Sequence, residues 1–135
     1  MIFIDTSVFV AFIVEKDTNH EKAVSLMEEI VDGEHGTAIT SGYVFDETVT
    51  VVLIRSKSLG SAVRTGNLIK ESMQVIDVDS IFFEASWNRF RGQKRNKFSF
   101  IDCTILEVVE SNHIDEVATF DKEFKGNGRF KVIGF

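Results

Sequence analysis

The chain begins Met1-Ile2-Phe3-Ile4-Asp5-Thr6-Ser7, a short apolar run that stops at an acid followed by two hydroxyls. A similar arrangement returns near the other end, where Val117-Ala118-Thr119-Phe120 precedes Asp121. Short apolar runs bounded by turn-forming residues are typical of buried strands, so each run predicts a strand with an acid at its carboxyl end. In open α/β sheets, ligands bind beyond the carboxyl ends of the strands. We therefore expect Asp5 and Asp121 to lie at a functional crevice.

Two further acids lie in apolar stretches between these strands. Glu47 lies in the stretch from Tyr43 to Ile54, and Asp102 follows Phe98-Ser99-Phe100-Ile101. A helix capped by Ser99 would hold Asp102 in its first turn, where the helix dipole stabilises an anion. If the four acids converge, their mutual repulsion favours a bound cation, and hard oxygen ligands suit Mg²⁺ or Mn²⁺. Such ions activate water for phosphodiester hydrolysis.

Strand and helix patterns alternate along the rest of the chain. Strands are predicted at 1–5, 37–40, 74–78, 116–120 and 130–133, and helices at 7–15, 19–32, 42–57, 59–72, 80–91 and 100–111. Strands separated by helices predict an α/β fold with a mostly parallel central sheet of about five strands, flanked by helices. Residues 48–54 are all β-branched or aliphatic and favour a strand on propensity alone. We predict a helix there, because a strand would remove the crossover that parallel neighbours require.

Composition bounds the class of protein. With 135 residues, of which 44% are hydrophobic and 27% charged, residues 1–135 are expected to form a single soluble domain with no membrane segment. The apolar start lacks the basic region of a signal peptide. One cysteine, Cys103, excludes an intrachain disulfide, suits a cytoplasmic protein and is expected to be a small buried hydrophobe. The three histidines lack zinc-like spacing and are expected at surface or capping positions.

Strand-end aspartates also occur in two classes of phosphoenzyme, whose sequence patterns this chain does not match. Haloacid-dehalogenase phosphatases need an acid two residues after the nucleophile, where this chain has Ser7. Receiver domains need an acidic pair at the first strand and a lysine after the last, and neither is evident. Asp79, near the end of the third predicted strand, is better explained as the N-cap of the helix that contains Phe82 to Trp87.

Four segments together carry a resemblance to the PIN domain family, and within it to the VapC-like toxin ribonucleases. They are Ile2-Phe3-Ile4-Asp5-Thr6-Ser7-Val8-Phe9, Thr40-Ser41-Gly42-Tyr43-Val44-Phe45-Asp46-Glu47, Phe98-Ser99-Phe100-Ile101-Asp102-Cys103 and Ala118-Thr119-Phe120-Asp121-Lys122-Glu123-Phe124. The resemblance implies a PIN-like α/β/α sandwich in which Asp5, Glu47, Asp102 and Asp121 bind one or two Mg²⁺ or Mn²⁺ ions. Asp5 and Asp102 look like the principal ligands, Glu47 like a ligand or a carboxylate that supports one, and Asp121 like a ligand of the second, weaker ion.

The resemblance also implies supporting residues and a biological role. Thr6 or Ser7, and Thr119, match positions where the family often has a hydroxyl near the site, although capping or turn formation explains them equally well. Glu123 is a weaker candidate that can also simply face solvent. The implied function is endoribonuclease activity through metal-activated water, as the toxin of a type II toxin–antitoxin pair. Homodimerisation through the helices of residues 41–72 and a cognate antitoxin are implied as well. The alternative is a noncatalytic PIN-like protein that binds RNA or acts as an assembly component in RNA processing.

Charge is unevenly distributed. The chain has a net charge of −6, yet residues 89–97 hold five basic residues and no acid, which leaves ten basic against 21 acidic residues elsewhere. We expect four of these cations to guide RNA phosphates toward Asp102: Arg91, Lys94, Arg95 and Lys97. A solvated helix end is the simpler alternative. Phe90 and Phe98 are expected to pack in the core rather than stack on bases, and Trp87 to pack on a helix.

Overall fold

The computed structural model describes residues 1–95 and 97–135, which form a five-stranded sheet and six α-helices. The strands are β1 (Ile2–Ile4), β2 (Ala38–Ser41), β3 (Gln74–Ile76), β4 (Glu116–Ala118) and β5 (Lys131–Ile133). The helices are α1 (Thr6–Ile13), α2 (His20–Val31), α3 (Gly42–Ser56), α4 (Leu59–Ser72), α5 (Ser80–Arg91) and α6 (Phe100–Ser111), and a 3-10 turn spans Lys122–Phe124. Every predicted element is present. β2 has its predicted length but begins one residue later, and the other four strands are shorter than predicted by one or two residues.

All strand pairs in the sheet are parallel, in the order β3-β2-β1-β4-β5. The chain leaves β1 toward β2 and β3, and later returns to the other side of β1 with β4 and β5. The strand order therefore reverses beside β1, which is where a doubly wound sheet opens a crevice at its carboxyl edge. This sheet confirms the predicted α/β class and its parallel arrangement.

The core is centred on β1. Ile2, Phe3 and Ile4 are all completely buried, and since consecutive strand residues point to opposite faces, both faces of the sheet are covered. Phe9 of α1 and Phe124 of the 3-10 turn fill the same core. The helices pack in neighbouring pairs, α1 with α2 and α3, α3 with α4, and α5 with α6.

Helix α3 contains the run of β-branched residues and is nevertheless continuous. The Ser41 hydroxyl accepts a hydrogen bond from the Val44 amide at its start, and Lys57 ends the helix in the left-handed region with φ of 55°. Thr48 and Val52 are fully buried on one face. On the same side of the helix, Gly66 of α4 lets Phe45 approach closely, since a Cβ at that glycine would lie 3.2 Å from the Phe45 ring. Packing of this buried side thus overrides the strand propensity.

Two smaller expectations concern the membrane and the cysteine. Among the described residues, no helix combines the length and apolar character that a membrane crossing requires. Cys103 is fully buried in α6, and burial raises the pKa of its thiol. Its position is that of a small core hydrophobe, as predicted.

Candidate active site

A crevice of about 350 Å³ opens at the carboxyl edge of the sheet, and all four predicted acids line it. β1 and β4 bring Asp5 and Asp121 there from their carboxyl ends, while Glu47 reaches it from α3 and Asp102 from the start of α6. A larger groove of about 930 Å³ lies at the amino ends of β2 and β3 and contains none of the predicted site residues. We assign the chemistry to the smaller crevice because it holds the converging ionisable groups.

Asp5 is the most deeply buried of the four acids, with 7% of its surface exposed. Its Oδ1 accepts a hydrogen bond of 2.7 Å from the Thr6 amide, so Asp5 also caps α1. Its Oδ2 accepts hydrogen bonds of 2.8 Å from the hydroxyls of Ser7 and Thr119. These three donors fix the orientation of the carboxylate.

The hydroxyls of Ser7 and Thr119 join the ends of β1 and β4. The Ser7 hydroxyl accepts from the Phe120 amide at 3.0 Å, and the Thr119 hydroxyl accepts from the Asp121 amide at 3.0 Å. Because a backbone amide donates to each hydroxyl, each hydroxyl directs its own proton at Asp5. These residues therefore form the turn and also contact the acid. From the sequence alone, turn formation and a role near the site explained them equally well.

Thr6 connects Glu47 to the same corner. Its hydroxyl donates a hydrogen bond of 2.7 Å to Oε2 of Glu47 across 41 residues of sequence. Within the described residues, Oε1 of Glu47 has no hydrogen-bond donor from the protein. The side chain is therefore held by one oxygen while the other is available to a ligand.

Asp102 lies in the first turn of α6, as the sequence predicted. The Ser99 hydroxyl accepts from the Asp102 amide at 3.1 Å, and the Asp102 carboxylate accepts from the Ser99 amide at 2.8 Å through Oδ2, which completes a capping box. No described residue donates to its Oδ1. Asp102 is thus held rigidly by the helix start and presents one oxygen to the crevice.

Asp121 and Glu123 have different surroundings although they are two residues apart. Oδ1 of Asp121 accepts a hydrogen bond of 2.9 Å from the Glu123 amide and caps the 3-10 turn at the crevice rim. Glu123 is exposed, does not line the crevice, and lies 3.8 Å from the Lys97 ammonium. The structure therefore places Glu123 beside the basic segment.

Burial and neighbouring negative charge raise the pKa values of two of these carboxylates, Asp5 and Asp102. Burial raises the pKa of Asp5 to about 6, against the opposing hydrogen bonds of Thr119 and Ser7, and the charge of Asp102 raises it further. Burial also raises the pKa of Asp102, as do the charges of Asp121 and Glu47, although its hydrogen bonds with Ser99 oppose the shift. In the described part of the chain, none of the four acids forms an ion pair. The four acids thus concentrate negative charge without an ion-pair partner among the described residues.

The carboxylates border the crevice without closing around one point. Within residues 1–95 and 97–135, no group of three His, Cys, Asp or Glu side chains is close enough to hold a metal ion by itself. A Mg²⁺ ion commonly uses one or two carboxylates and retains several waters, so an open rim of oxygen donors is compatible with that chemistry.

The crevice also contains an ion pair that sequence reasoning missed. Arg55 of α3 donates a hydrogen bond of 2.8 Å to Asp17, and both residues line the crevice. The hydrogen bond from Arg55 lowers the pKa of Asp17. A sequence signal was hard to find, because the partners are separated by 38 residues and neither follows a strand. Arg55 is thereby engaged with Asp17 rather than with the four acids.

The basic segment begins in the last turn of α5 and leads to Asp102; its residue 96 lies outside the described residues. Arg91, Lys94 and Arg95 are exposed, and Lys97 lies near Glu123. Arg89 instead forms hydrogen bonds of 2.6 Å to Glu107 and to Glu110 on α6. Two hydrogen bonds join the side chain of Gln93 to the backbone of Phe98 and close the base of the loop. Phe98 packs on the buried Phe124, which confirms its predicted core position.

Comparison with known proteins agrees with this geometry. The PIN domain family matches the chain over residues 2–129. A VapC ribonuclease of Archaeoglobus fulgidus is 28% identical over 126 residues, which cover 90% of this chain and 77% of that protein. The crystal structure of Mycobacterium tuberculosis VapC20, a toxin that cleaves the sarcin–ricin loop, has a TM-score of 0.85 at 25% identity and 95% coverage of both chains.

A further solved structure shares the fold at lower identity. VapBC2 from Rickettsia felis, bound to a DNA fragment from its promoter, has a TM-score of 0.70 at 15% identity, with 98% of this chain and 97% of that chain covered. The family match spans all four acids of the crevice. The chain therefore belongs to the PIN domain family and has a VapC ribonuclease and the toxin VapC20 among its relatives.

Proposed function

We propose that this protein is a Mg²⁺- or Mn²⁺-dependent endoribonuclease and the toxin of a type II toxin–antitoxin pair. The observation that carries the proposal is the crevice in which Asp5, Glu47, Asp102 and Asp121 meet without an ion-pair partner among the described residues. The VapC relatives support ribonuclease chemistry over other nuclease substrates.

The donor set fits a hard divalent cation. Asp5 and Asp102 are the principal ligands in this proposal, with Glu47 as a third ligand or support and Asp121 as the ligand of a second ion. Carboxylate oxygens suit Mg²⁺ and Mn²⁺. Burial and neighbouring negative charge raise the pKa values of Asp5 and Asp102, and a bound cation would stabilise their charged forms. A bound ion supplies an activated water and stabilises the leaving oxygen of a phosphodiester.

The chain's own residues then have distinct roles. Thr6, Ser7 and Thr119 hold the carboxylates of Glu47 and Asp5 in fixed orientations through the hydrogen bonds described above. Three exposed cations, Arg91, Lys94 and Arg95, attract the RNA backbone toward a crevice that would otherwise repel it. Lys97 adds to this field although Glu123 partly offsets its charge.

We also propose a homodimer and an antitoxin partner. Helices α3 and α4 expose apolar side chains on their outer surface, namely Leu53, Ile54, Leu59, Val63 and Leu68. An apolar surface of this kind favours association with a second copy. A cognate antitoxin is proposed from the toxin–antitoxin relatives, with its tail covering the crevice. Light scattering on the purified chain tests the dimer, and a monomer across working concentrations would count against it.

The test of function is cleavage of a panel of fluorescent RNAs, both single-stranded and hairpin, including a hairpin with the sarcin–ricin loop sequence. Each RNA is incubated with EDTA, Mg²⁺ or Mn²⁺. We expect cleavage with the metals, no cleavage in EDTA, and loss of cleavage in Asp5→Asn and Asp102→Asn. Asp46→Asn is the matched control, because Asp46 adjoins Glu47 on α3 but is exposed and outside the crevice.

Two results would contradict the proposal. Cleavage that persists in EDTA or in both crevice variants would remove the four acids from the reaction. RNA binding without metal-dependent cleavage of any substrate would favour the noncatalytic PIN-like RNA-binding or assembly protein.

A further inference from the structure

Helix α5 and its neighbours form a continuous aromatic surface, which we call the aromatic platform. It consists of Tyr43, Phe83, Trp87, Phe90 and Phe100. Phe83, Trp87 and Phe90 recur at helical spacing and form one stripe of α5, while Tyr43 comes from α3 and Phe100 from the start of α6. The ribonuclease chemistry proposed above does not use these rings.

Phe100 is the centre of the platform. Its ring centroid lies 5.4 Å from that of Phe83, 6.1 Å from Phe90 and 6.5 Å from Trp87. Trp87 and Phe90 are stacked, with an interplanar angle of 21° and centroids 5.8 Å apart. Such distances are those of favourable aromatic pairs, so the rings hold one another in fixed orientations.

Core packing does not account for the whole cluster. Trp87 was expected to pack on a helix, and it does contact Phe90 and Phe100, but 46% of its surface is exposed. Phe83 is 42% exposed on the same helix. Two large aromatic side chains thus present part of their surface to solvent although their neighbours hold them rigidly. Aromatic surface that is exposed and ordered is typical of a binding site.

The platform is adjacent to two features of the proposed active site. Phe100 precedes Asp102 by two residues in the first turn of α6, and Tyr43 precedes Glu47 by one turn of α3. Tyr43 and Phe100 lie with their centroids 6.4 Å apart, so the platform includes residues of the two helices that carry Glu47 and Asp102. At its other end, Phe90 is followed directly by Arg91 and the basic segment.

We infer that the aromatic platform binds unpaired nucleobases of an RNA substrate by stacking. The inference rests on the proposed ribonuclease function and deepens it, because it assigns the platform to the binding of the RNA strand that enters the crevice. Negative charge in the crevice repels phosphate, whereas a neutral aromatic surface binds the faces of bases, and the adjoining cations bind the backbone. Aromatic rings next to a basic segment form the pair of features that single-strand binding requires.

The choice of RNA over a second copy of the chain follows from charge. The α3–α4 surface proposed for the dimer is lined by aliphatic side chains. The platform's Phe90 is instead followed along the chain by the exposed cations Arg91, Lys94 and Arg95, which would repel the same cations of a second copy placed against it. Stacking also accepts every base, so the platform predicts selectivity for unpaired structure more than for sequence.

Trp87 is the sole tryptophan of the chain, so its fluorescence reports on the platform directly. The wild-type protein in EDTA is titrated with a single-stranded RNA oligonucleotide, with an abasic oligonucleotide of the same length, and with a blunt RNA duplex. We expect the single strand to quench the fluorescence strongly. The abasic strand, which keeps the phosphates and lacks the bases, and the duplex are expected to quench it weakly.

Variants then separate stacking from apolar contact. Trp87→Leu and Phe83→Leu keep an apolar side chain and remove the ring, and anisotropy of labelled RNA measures affinity without the tryptophan. We expect about a ten-fold loss of single-strand affinity for Trp87→Leu and a smaller loss for Phe83→Leu. Ile81→Ala is the matched control, because Ile81 is an exposed apolar residue of α5 outside the platform. Circular dichroism verifies that each variant is folded.

Three outcomes would overturn the inference. Equal quenching by the abasic strand would assign binding to phosphate alone. Unchanged affinity in both Leu variants would remove stacking, and a change of oligomeric state in Trp87→Leu would make the platform a protein contact. Metal-dependent cleavage is measured in parallel on the wild type. Cleavage without quenching rejects the platform alone, whereas quenching without cleavage rejects the nuclease and leaves the platform as an RNA site.

Discussion

The two edges of the parallel sheet both carry carboxylates, but their surroundings differ. At the amino edge, Glu116 at the start of β4 lies 2.5 Å from His35 and 3.8 Å from Lys131, and Asp115 pairs with the chain's amino group. At the carboxyl edge, Asp5 and Asp102 face other carboxylates. Among the described residues, the carboxylates at the amino edge are paired with cations, whereas Asp5 and Asp102 at the carboxyl edge have no ion-pair partner.

The pKa shifts at the two edges have different causes. His35 is 13% exposed and lies between Glu116 and Glu29; burial lowers its pKa, but the hydrogen bonds and charges of these carboxylates outweigh burial and raise it. Burial and neighbouring negative charge raise the pKa of Asp5 to about 6, which disfavours its charged form. The fold therefore gains stability from ion pairs at the amino edge and tolerates a destabilising group of carboxylates at the carboxyl edge.

Asp5→Asn should give the largest change in stability, as an increase. Burial raises the pKa of Asp5 to about 6 from an ordinary value of 3.8, which corresponds to about 3 kcal/mol. This is an upper value for the gain in stability, because the Asn amide nitrogen cannot accept the hydrogen bonds that one carboxylate oxygen accepts. Because the pKa is raised, this cost develops as pH rises from 3.8 through 6 and persists above it. Urea unfolding in EDTA should therefore show the variant more stable at pH 7.5 and similar to wild type near pH 4.

Divalent cations should reduce the stability difference between Asp5→Asn and the wild type. Mg²⁺ or Mn²⁺ is expected to raise the melting temperature of the wild type more than that of Asp5→Asn, because a ligand that binds the folded state stabilises it. A variant that is less stable than wild type in EDTA at pH 7.5 would show that the carboxyl edge is not electrostatically strained.

Glu116→Gln, at the amino edge, should change stability in the opposite direction. The variant keeps the shape of the side chain but removes the charge that His35 and Lys131 face. We expect a loss of about 1 to 2 kcal/mol near pH 6, the usual cost of weakening a partly buried hydrogen bond to a charged group. Asp115→Asn is the control, because that carboxylate is 76% exposed and its ion pair contributes little. Equal effects for the two variants would contradict the assignment.

The pH dependence at the amino edge depends on His35. Since its folded pKa is raised above 6.5, its contribution is complete below pH 6.5 and disappears as pH rises through the folded value. His35→Gln should be less stable than wild type at pH 6, and the difference should narrow toward pH 8.5. A difference that stays constant from pH 6 to 8.5 would show that the imidazolium is not the stabilising form.

The smallest expected effect concerns the cations beside the carboxyl edge. The double variant Lys94→Ala and Arg95→Ala should bind single-stranded RNA more weakly and less salt-dependently than wild type. Removing two phosphate contacts reduces the slope of log affinity against log salt by about 1.4. Anisotropy titrations at several salt concentrations measure the slope, with Lys22→Ala on α2 as a control. An unchanged slope would leave the basic segment as a solvated loop.

Much of the fold was accessible from the sequence because local signals agreed with it. Asp79 and Ser99 cap α5 and α6 as predicted, since a capping side chain contacts amides only two or three residues away. The helical prediction for residues 48–54 was correct because the connection between parallel strands outweighed β propensity. The four acids were identified by their positions at strand ends or in apolar stretches.

Side-chain partners across the sheet were less accessible. His35 was expected at a surface or capping position, and it lies instead between two acids, one of them 81 residues away. Neither the Thr6–Glu47 contact nor the Arg55–Asp17 pair has a local signal, because tertiary packing creates both. The exposure of Trp87 could not be predicted from the sequence either, because its spacing with Phe83 and Phe90 is also that of a core-facing stripe.

The hydrogen bond from Thr119 to Asp5 spans 114 residues, and it gives the molecule an order of assembly. β1 is synthesised before its neighbour β4, and the Thr119 donor to Asp5 follows β4 in the chain. Long-range pairing of this kind forms late in folding. A fragment ending at Asn112 should show no hydrogen-exchange protection in β1. The arrangement around Asp5 would then be absent from any copy in which β4 has not yet been made, so the crevice would form only after that strand is synthesised.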